Sequence, residues 1–270
     1  MTERDKDFIG SIPEIYDTYL VPLIFETYAQ DLAERVGALN PASVLETAAG
    51  SGVVARALVS IISPDTQYAV TDLNQPMLDY AASKQATDPR LTWRQADAMA
   101  LPFEDESFDV VVCQFGVMFY PDRISGYIEA CRVLKPGGTL IFNVWDRIET
   151  NEFADVVTAA AATVFPDDPP QFLPRTPHGY YDENLIREEL GEAGFADVSY
   201  ESLDAISSAP SPHHPAVAYC QGTPLRNEIE ERDANLLEHV TECATAAIAD
   251  RFGNGAVAAK IRGHIVAALR

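Results

Sequence analysis

Short β-branched runs alternate with helical patterns through the first 145 residues, and this alternation limits the fold more than any other feature. The runs 43–46 (SVLE), 67–72 (QYAVTD) and 107–114 (SFDVVVCQ) are each followed by a segment with helical spacing of its apolar residues. Strands separated by helices form a parallel sheet covered by helices. The run 107–114 is apolar on both faces, as a central parallel strand is. The sequence therefore predicts an open, doubly wound, Rossmann-like α/β sheet.

The remaining elements are predicted from spacing and from turn residues. Residues 13–37 have a helical pattern in which Pro22 predicts a break, and the Lys-Pro-Gly-Gly run at 135–138 predicts a sharp helix end. Beyond residue 146 the pattern is less regular. Further strands are predicted at 91–95, 139–145 and 195–203, a proline-rich loop at 166–177, another proline-rich turn at 209–215, and helices at 151–165, 182–193 and 224–252. The last segment, 258–269, fits either a helix or a final strand.

The excess of acidic over basic residues limits the kinds of partner that the protein can bind. The chain has 41 acidic residues against 19 lysines and arginines, which gives a formal net charge of −22. Such a surface repels phosphate backbones and anionic lipids. We therefore expect a small-molecule substrate, with no nucleic acid partner and no integral membrane association, and the sequence leaves a homodimer open.

The chain ends and the cysteines indicate the compartment. The start MTERDKDFIG has no apolar core of a signal peptide, and no apolar run approaches the roughly 18 residues of a membrane-spanning helix. The four cysteines lie far apart in sequence and form no metal-ligand pattern. We expect a cytoplasmic protein with reduced thiols and no metal site.

The segment VLETAAGSGVVARAL joins the first strand to the next helix and predicts a ligand loop. Gly50 and Gly52 allow a close backbone approach, and the helix behind them offers free N–H groups at its start. Asp72 ends the second strand, where an acidic residue commonly binds ribose hydroxyls. The alternative role for Asp72 is to cap the next helix, and Asn74 competes for that position.

Glu46 at the end of the first strand favours one kind of nucleotide-like ligand. A carboxylate there opposes the diphosphate of a nicotinamide dinucleotide and suits a cationic ligand instead. A nicotinamide-dependent reductase is therefore the less favoured alternative. A sulfonium and an α-ammonium group would both fit.

At this point the sequence resembles the class I S-adenosylmethionine-dependent methyltransferases, of the small-molecule type that includes the ubiquinone/menaquinone C-methyltransferases. The resemblance rests on the segments VLETAAGSG, AVTDLNQPML, WRQADAMALPFEDESFDVVVCQFGVMFYPD and EACRVLKPGGTLIFNVW, in the family's order and spacing. It implies a seven-stranded sheet with an antiparallel last strand at 261–269. It also implies methyl transfer from S-adenosylmethionine to a small molecule by in-line displacement. The loop departs from the family pattern at Ala48, where a glycine is usual.

The resemblance also implies a set of cofactor-binding residues. Glu46 would organise the methionine ammonium group, Asp72 would bind the ribose hydroxyls, and Asp97 would accept from the adenine amino group. The full set is Glu46, Ala49, Gly50, Gly52, Asp72, Leu73, Met77, Asp97, Ala98 and Gln114. Leu73 and Met77 could equally well pack in the hydrophobic core instead of contacting the cofactor. The alternative role for Asp97 is to cap a turn.

Catalytic residues are not fixed by these motifs, because a sulfonium methyl group is already activated and positioning supplies most of the effect. Tyr16 and Tyr19 are candidates for closing over the cofactor, and Tyr120, after the fourth strand, and His178 are candidate bases. A loop histidine is more often a solvated side chain, so this alternative stands for His178. A non-catalytic protein that binds S-adenosylmethionine or its product is the alternative from another functional class.

We predict a single methyltransferase domain over residues 1–270. Its segments are an N-terminal helical cap (1–40), a cofactor-binding core (41–146), a lid insertion (147–181), the last helix–strand unit (182–206), a helical insertion (207–256) and a final strand (257–270).

Overall fold

The computed structural model describes residues 12–270, with side chains from Glu14 onward. Residues 1–11 of the predicted N-terminal cap lie outside this range. None of the helices between residues 12 and 270 combines the length and apolarity needed to cross a bilayer.

Seven strands of the described chain form one sheet in the order β3-β2-β1-β4-β5-β7-β6. They are β1 (Ser43–Glu46), β2 (Gln67–Asp72), β3 (Leu91–Gln95), β4 (Phe108–Gln114), β5 (Leu134–Trp145), β6 (Ala196–Ala209) and β7 (Val257–Leu269). β1 pairs in parallel with both β2 and β4, so the strand order reverses on either side of β1. In sheets of this kind ligands bind beyond the carboxyl ends of the strands at such a reversal.

The pairing of β7 confirms the predicted antiparallel last strand. The backbone N–H of Gly137 donates to the Arg270 carbonyl at one end of the β5–β7 pair, and that of Asp146 donates to the Arg262 carbonyl at the other. β5 and β7 therefore run in opposite directions, and β7 is also antiparallel to β6. The segment whose pattern fitted either a helix or a strand is thus a strand.

Helices connect and cover these strands. They are α1 (Ile12–Ile15), α2 (Glu26–Ala38), α3 (Val53–Val59), α4 (Gln75–Lys84), α5 (Arg123–Val133), α6 (Glu152–Val164), α7 (Phe172–Arg175), α8 (Glu183–Glu192), α9 (His213–Gln221), α10 (Leu225–Asp233) and α11 (Leu237–Phe252), with a π-helix at Tyr16–Phe25. The bounds of α4, and those of β1, β2 and β3, are the predicted ones.

Contacts group the described chain into two compact units. The core unit contains residues 27–144, 181–202 and 264–270, and the helical unit contains the residues up to 26 together with 145–180 and 203–263. In the core unit, apolar side chains of β1, β2, β4 and β5 are buried, as continuous β-branched runs require. In the helical unit, α6, α9 and α11 pack together through side chains such as Phe153, Ala216 and Ala244.

Two predicted breaks are wrong. Pro22 lies inside the π-helix and does not end it, because the wider turn leaves room for a residue without an N–H group. The Lys-Pro-Gly-Gly run lies inside β5 rather than before it. Gly137 has a left-handed φ of +79°, and the pairing of this segment with Arg270 continues the strand through it.

The second half also differs from the predicted elements. β6 continues to Ala209, where Pro210 ends it because proline offers no N–H group to the ladder. The proline-rich turn predicted at 209–215 contains the start of α9 at His213. The predicted long helix at 224–252 is divided into α10 and α11. The division occurs at Asp233, which is extended at φ −161° and whose carboxylate accepts from the Asn235 N–H. This bond caps the helical turn that leads into α11.

Candidate active site

The loop at residues 47–52 is held between the ends of β2 and β4. The Thr47 N–H donates to the Val112 carbonyl, and the Ala49 N–H donates to the Thr71 carbonyl, both at 3.0 Å. Gly50 and Gly52 have φ of +57° and +80°, where a Cβ is strained. A Cβ at Gly52 would also lie 2.9 Å from the Cβ of Ala81 on α4. The two glycines are therefore required by the turn and by its close approach to α4.

Ala48, where the family pattern has glycine, also has a left-handed φ of +52°. Its methyl group is accommodated by Gly116 after β4, since a Cβ there would lie 2.5 Å from the Ala48 Cβ and 2.6 Å from the Cys113 sulfur. The loop thus keeps its left-handed conformation at a cost of about 1–2 kcal/mol. The departure changes the side chain without changing the path of the loop.

Glu46 is 1% exposed at the end of β1. Its carboxylate accepts a hydrogen bond from the Tyr68 hydroxyl, and its backbone carbonyl accepts from the Thr71 hydroxyl at 2.7 Å. Burial raises the pKa of the Glu46 carboxyl to about 8, which the Tyr68 hydrogen bond opposes. An added positive charge in this site would favour the ionised form.

Asp72 joins the loop to the end of β2. One carboxylate oxygen accepts from the Gly50 N–H at 2.8 Å and the other accepts from the Asn74 N–H at 2.7 Å. The capping alternative for Asp72 is wrong, because Asn74 is the N-cap residue of α4 and, in this segment, Asp72 bonds only to the N–H of Asn74 itself. The bond to Gly50 places the carboxylate against the loop. Burial raises the pKa of Asp72. Each oxygen keeps a second lone pair that can accept from a hydroxyl.

Leu73 and Met77 differ in their surroundings. Leu73 is 43% exposed directly after Asp72, which leaves a large apolar surface beside the loop. Met77 is buried, and its Cε lies 3.7 Å from where a Cβ at Gly50 would be. The core alternative therefore fits Met77, whereas the surroundings of Leu73 suit a ligand contact.

Asp97, Ala98 and Gln114 lie at the ends of β3 and β4. Asp97 accepts from the Met99 N–H at 2.9 Å, so it does cap a turn. Ala98 lines a small pocket together with Thr47, Cys113 and Tyr120. Gln114 ends β4 in register with Asn143 of β5 and is half-buried. The cofactor roles of all ten residues implied by the resemblance stay predictions.

Three further groups lie at this edge of the core unit, and two of them, Tyr68 and Asn143, were not predicted. Tyr68 bonds to Glu46, the Tyr120 hydroxyl lies 3.1 Å from the Thr47 hydroxyl, and Asn143 accepts from the Phe115 N–H at 2.9 Å. Tyr68 could be found only once the register of β1 and β2 is known. It pairs with Val44, two residues before Glu46 on β1, and alternate residues of a strand share a face.

Apart from Tyr120, the catalytic candidates all belong to the helical unit. Tyr16 stacks on Phe25 with ring centroids 5.2 Å apart, and Tyr19 lies against His214 at 4.8 Å. His178 is buried rather than solvated, and its Nδ1 lies 2.8 Å from the Asp146 carbonyl oxygen. A carbonyl can only accept, so Nδ1 carries the hydrogen and Nε2 is the basic nitrogen. Burial lowers the pKa of His178 to about 4, so the ring is neutral near pH 7.

The loop and its two acids fit S-adenosylmethionine. Glu46 and Asp72 are two buried carboxyl groups, and a buried charge requires a partner. Among the described residues the Ser51 hydroxyl is buried without a hydrogen-bond partner. Of the described side chains beyond its chain neighbours, only Met77 comes within 4 Å of where a Cβ at Gly50 would be. The site thus has room, negative charge and an unsatisfied polar atom, which a cationic ligand with hydroxyl groups can use.

Comparisons with known proteins agree with this geometry. Residues 11–210 match the ubiE/COQ5 methyltransferase family. A relative from Dinoroseobacter shibae, the ubiquinone/menaquinone biosynthesis C-methyltransferase UbiE, is 30% identical over 172 residues, which cover 59% of this chain and 68% of that protein. The demethylmenaquinone methyltransferase of Lactococcus lactis is 28% identical over 218 residues, which cover 74% of this chain and 84% of that protein.

The fold is shared with a solved structure. A SAM-dependent methyltransferase from Aquifex aeolicus is similar with a TM-score of 0.52 and 18% identity, covering 70% of this chain and 88% of that chain. The chain therefore belongs to the ubiE/COQ5 methyltransferase family, and it is an enzyme that transfers a methyl group from S-adenosylmethionine to a small molecule.

Proposed function

We propose that the acceptor is a quinone-type ring in its reduced, hydroxylated form and that the methyl group is transferred to a ring carbon. The names of the relatives, which are ubiquinone, menaquinone and demethylmenaquinone methyltransferases, support this substrate class. A hydroxylated ring carries electron density on the carbon next to each hydroxyl group. It therefore becomes a carbon nucleophile once a hydroxyl proton is removed.

The single observation that carries the donor site is the pair of buried carboxyl groups, Glu46 and Asp72, on either side of the loop with Gly50 and Gly52. S-adenosylmethionine supplies a methyl group activated by a positively charged sulfur. We assign Glu46 to the ammonium group, Asp72 to the ribose hydroxyls, and Ala49, Gly50 and Gly52 to the loop beneath the methionine part.

The adenine side of the site is assigned to residues at the ends of β2, β3 and β4. Leu73 packs against the base, and Met77 supports the loop from below. Asp97 accepts from the adenine amino group, the Ala98 N–H donates to the ring, and the Gln114 carbonyl faces the ammonium group. These assignments follow the order in which the strands end at this edge of the sheet.

A base is needed to make a hydroxylated ring nucleophilic. His178 is our candidate, because its neutral ring is oriented by the Asp146 carbonyl and has Nε2 as the basic nitrogen. Tyr16 and Tyr19 stay candidates for covering the cofactor. Replacement of each residue, with the pH dependence of kcat measured, assigns the base.

We propose that the enzyme has no nucleic acid partner, on the ground of the net charge of −22. We propose a cytoplasmic compartment on the ground that the four cysteines are free thiols. A homodimer is the oligomeric state that sedimentation analysis should test. We also propose that residues 1–270 behave as one domain with the predicted segments, which would give a single cooperative unfolding transition.

Release of S-adenosylhomocysteine with reduced and oxidised naphthoquinone acceptors tests the proposed function. We expect turnover with the reduced ring, and mass spectrometry should place the new methyl group on carbon. Glu46→Gln and Asp72→Asn should lose turnover, while Glu34→Gln, at an exposed residue of α2 that bonds to Gln30, should keep it. Methylation on oxygen, or no turnover with any reduced ring, would contradict the proposal.

A further inference from the structure

The carboxyl group of Glu46 is enclosed by charged and titratable groups of three elements. Tyr68 and Asp72 face it from β2, Arg56 from α3, and Cys113 from β4. Asp72 raises the pKa of Glu46 and Arg56 lowers it, both as weaker effects than burial. The Arg56 guanidinium also donates to the Ser51 carbonyl at 2.6 Å. The charges of Asp72 and Arg56 therefore act on Glu46 in opposite directions, and neither outweighs its burial.

Tyr68 is the direct hydrogen-bond donor to this carboxyl group. Its side chain is 1% exposed on β2, where its backbone pairs with Val44 of β1 and Leu91 of β3. Burial and the neighbouring Glu46 raise the pKa of Tyr68 well above the ordinary value. The hydroxyl group therefore stays protonated at neutral pH and can donate to Glu46.

We propose that Tyr68 is a positioning residue for the methyl donor: it orients Glu46, a carboxyl group that its burial keeps protonated in the unliganded enzyme and that releases its proton when the donor binds. The O–H bond of Glu46 breaks, the proton passes to the buffer, and the carboxylate that remains pairs with the ammonium group of the ligand. Tyr68 then donates to an ionised acceptor, which is the stronger bond. The inference rests on the proposed role of Glu46 in the donor site.

The size of the effect follows from the titration of Glu46. With a pKa of about 8 in the unliganded protein, about nine tenths of the molecules carry this proton at pH 7. Binding of the donor at pH 7 should therefore release about 0.9 proton per site. The Kd should fall about ninefold from pH 6 to pH 7, about fivefold from pH 7 to pH 8 and at most about twofold above pH 8.

Calorimetric titration of the full chain with S-adenosylmethionine and with S-adenosylhomocysteine measures both quantities. Repeating the titration at pH 7 in buffers of different ionisation enthalpy gives the number of protons released. We expect release with both ligands, since both carry the ammonium group. In Glu46→Gln the release should disappear and the Kd should no longer depend on pH between 6 and 8.

Tyr68→Phe separates this role from a merely structural one. Loss of a hydrogen bond to the carboxylate should raise the pKa of Glu46 by about one unit. The Kd at pH 7 should then rise about tenfold, and the difference from the wild type should shrink to less than about twofold at pH 9. Tyr219→Phe, at a buried tyrosine of α9, is the matched control and should leave the Kd and its pH dependence unchanged.

The outcomes distinguish this inference from the donor site itself. If Glu46→Gln and Asp72→Asn bind both ligands as the wild type does, the proposed donor site is wrong. If both variants lose affinity but the wild type releases no proton, only the role of Tyr68 is wrong. The inference would also be overturned if Tyr68→Phe bound the ligands more weakly than the wild type by the same factor at pH 7 and at pH 9.

Discussion

Replacing Glu46 by glutamine should stabilise the unliganded protein, and the gain should grow with pH. A carboxyl group whose pKa is raised on folding binds its proton more tightly in the folded state, so its contribution to stability is present at low pH and is lost as the pH rises. For Glu46 the relevant window runs from its ordinary pKa of 4.5 to the folded value of about 8. Glutamine keeps the shape and the acceptor for Tyr68 but cannot ionise.

The magnitude follows from the two pKa values. Relative to Glu46→Gln, the free energy of unfolding of the wild type should fall by about 1 kcal/mol by pH 5, about 3 kcal/mol by pH 7 and about 4 kcal/mol by pH 8. Urea denaturation of both proteins, freed of bound ligand, at pH 5, 6, 7 and 8 measures the difference in free energy of unfolding. Effects of other groups that titrate alike in both proteins cancel.

The control for this prediction is Glu34→Gln, at an exposed residue of α2. Its unfolding free energy should follow the wild-type curve at all four pH values. If Glu46→Gln also runs parallel to the wild type between pH 5 and 8, the buried carboxyl group does not retain a proton and the reasoning about its surroundings is refuted.

Three other perturbations test the site and its neighbours. Asp72→Ala should weaken binding of S-adenosylmethionine by about 1.5–3 kcal/mol in calorimetry, as expected for lost hydrogen bonds to a charged group, and an unchanged affinity would disprove its role. Gly52→Ala should lower the free energy of unfolding by about 2–3 kcal/mol, because the strain of a left-handed φ is added to that of a Cβ contact at 2.9 Å. Gly50→Ala should lower it by only about 1–2 kcal/mol, because its left-handed φ is the main source of strain there. Equal losses in the two alanine variants would contradict this. The wild type should lose stability as the pH falls from 6.5 towards 4, because His178, with its lowered pKa, stays neutral in the folded protein and gains a proton on unfolding. His178→Gln should remove this loss. If denaturation curves of the two proteins show the same pH dependence, the ring is not buried as described.

The elements that the sequence predicts best are those decided by local pattern. β1, β2 and β4 are short apolar runs bounded by turn residues, and α4 begins after Asn74 with Pro76 in its first turn. The Lys-Pro-Gly-Gly run has the composition of a turn and yet lies in β5. Its pairing with the end of β7 is a contact between distant parts of the chain, which local pattern does not contain.

The same limit applies to the site. Glu46, Asp72 and the glycines could be predicted because each stands where a strand ends, and strand ends of a parallel sheet meet at one edge. The glycine that is usual in the family at position 48 indicates a left-handed φ there, but the sequence does not show that Gly116 leaves space for the Ala48 methyl group. Tyr68 was missed because its partner is known only once the register of β1 and β2 is known.

A crystal structure with S-adenosylhomocysteine bound tests the central claim most directly. We predict that the ribose hydroxyls lie within hydrogen-bond distance of the Asp72 carboxylate and that the ammonium group lies beside Glu46, above the loop at residues 47–52. A ligand bound elsewhere, with Asp72 bonded as before to Gly50 and Asn74 alone, would contradict it.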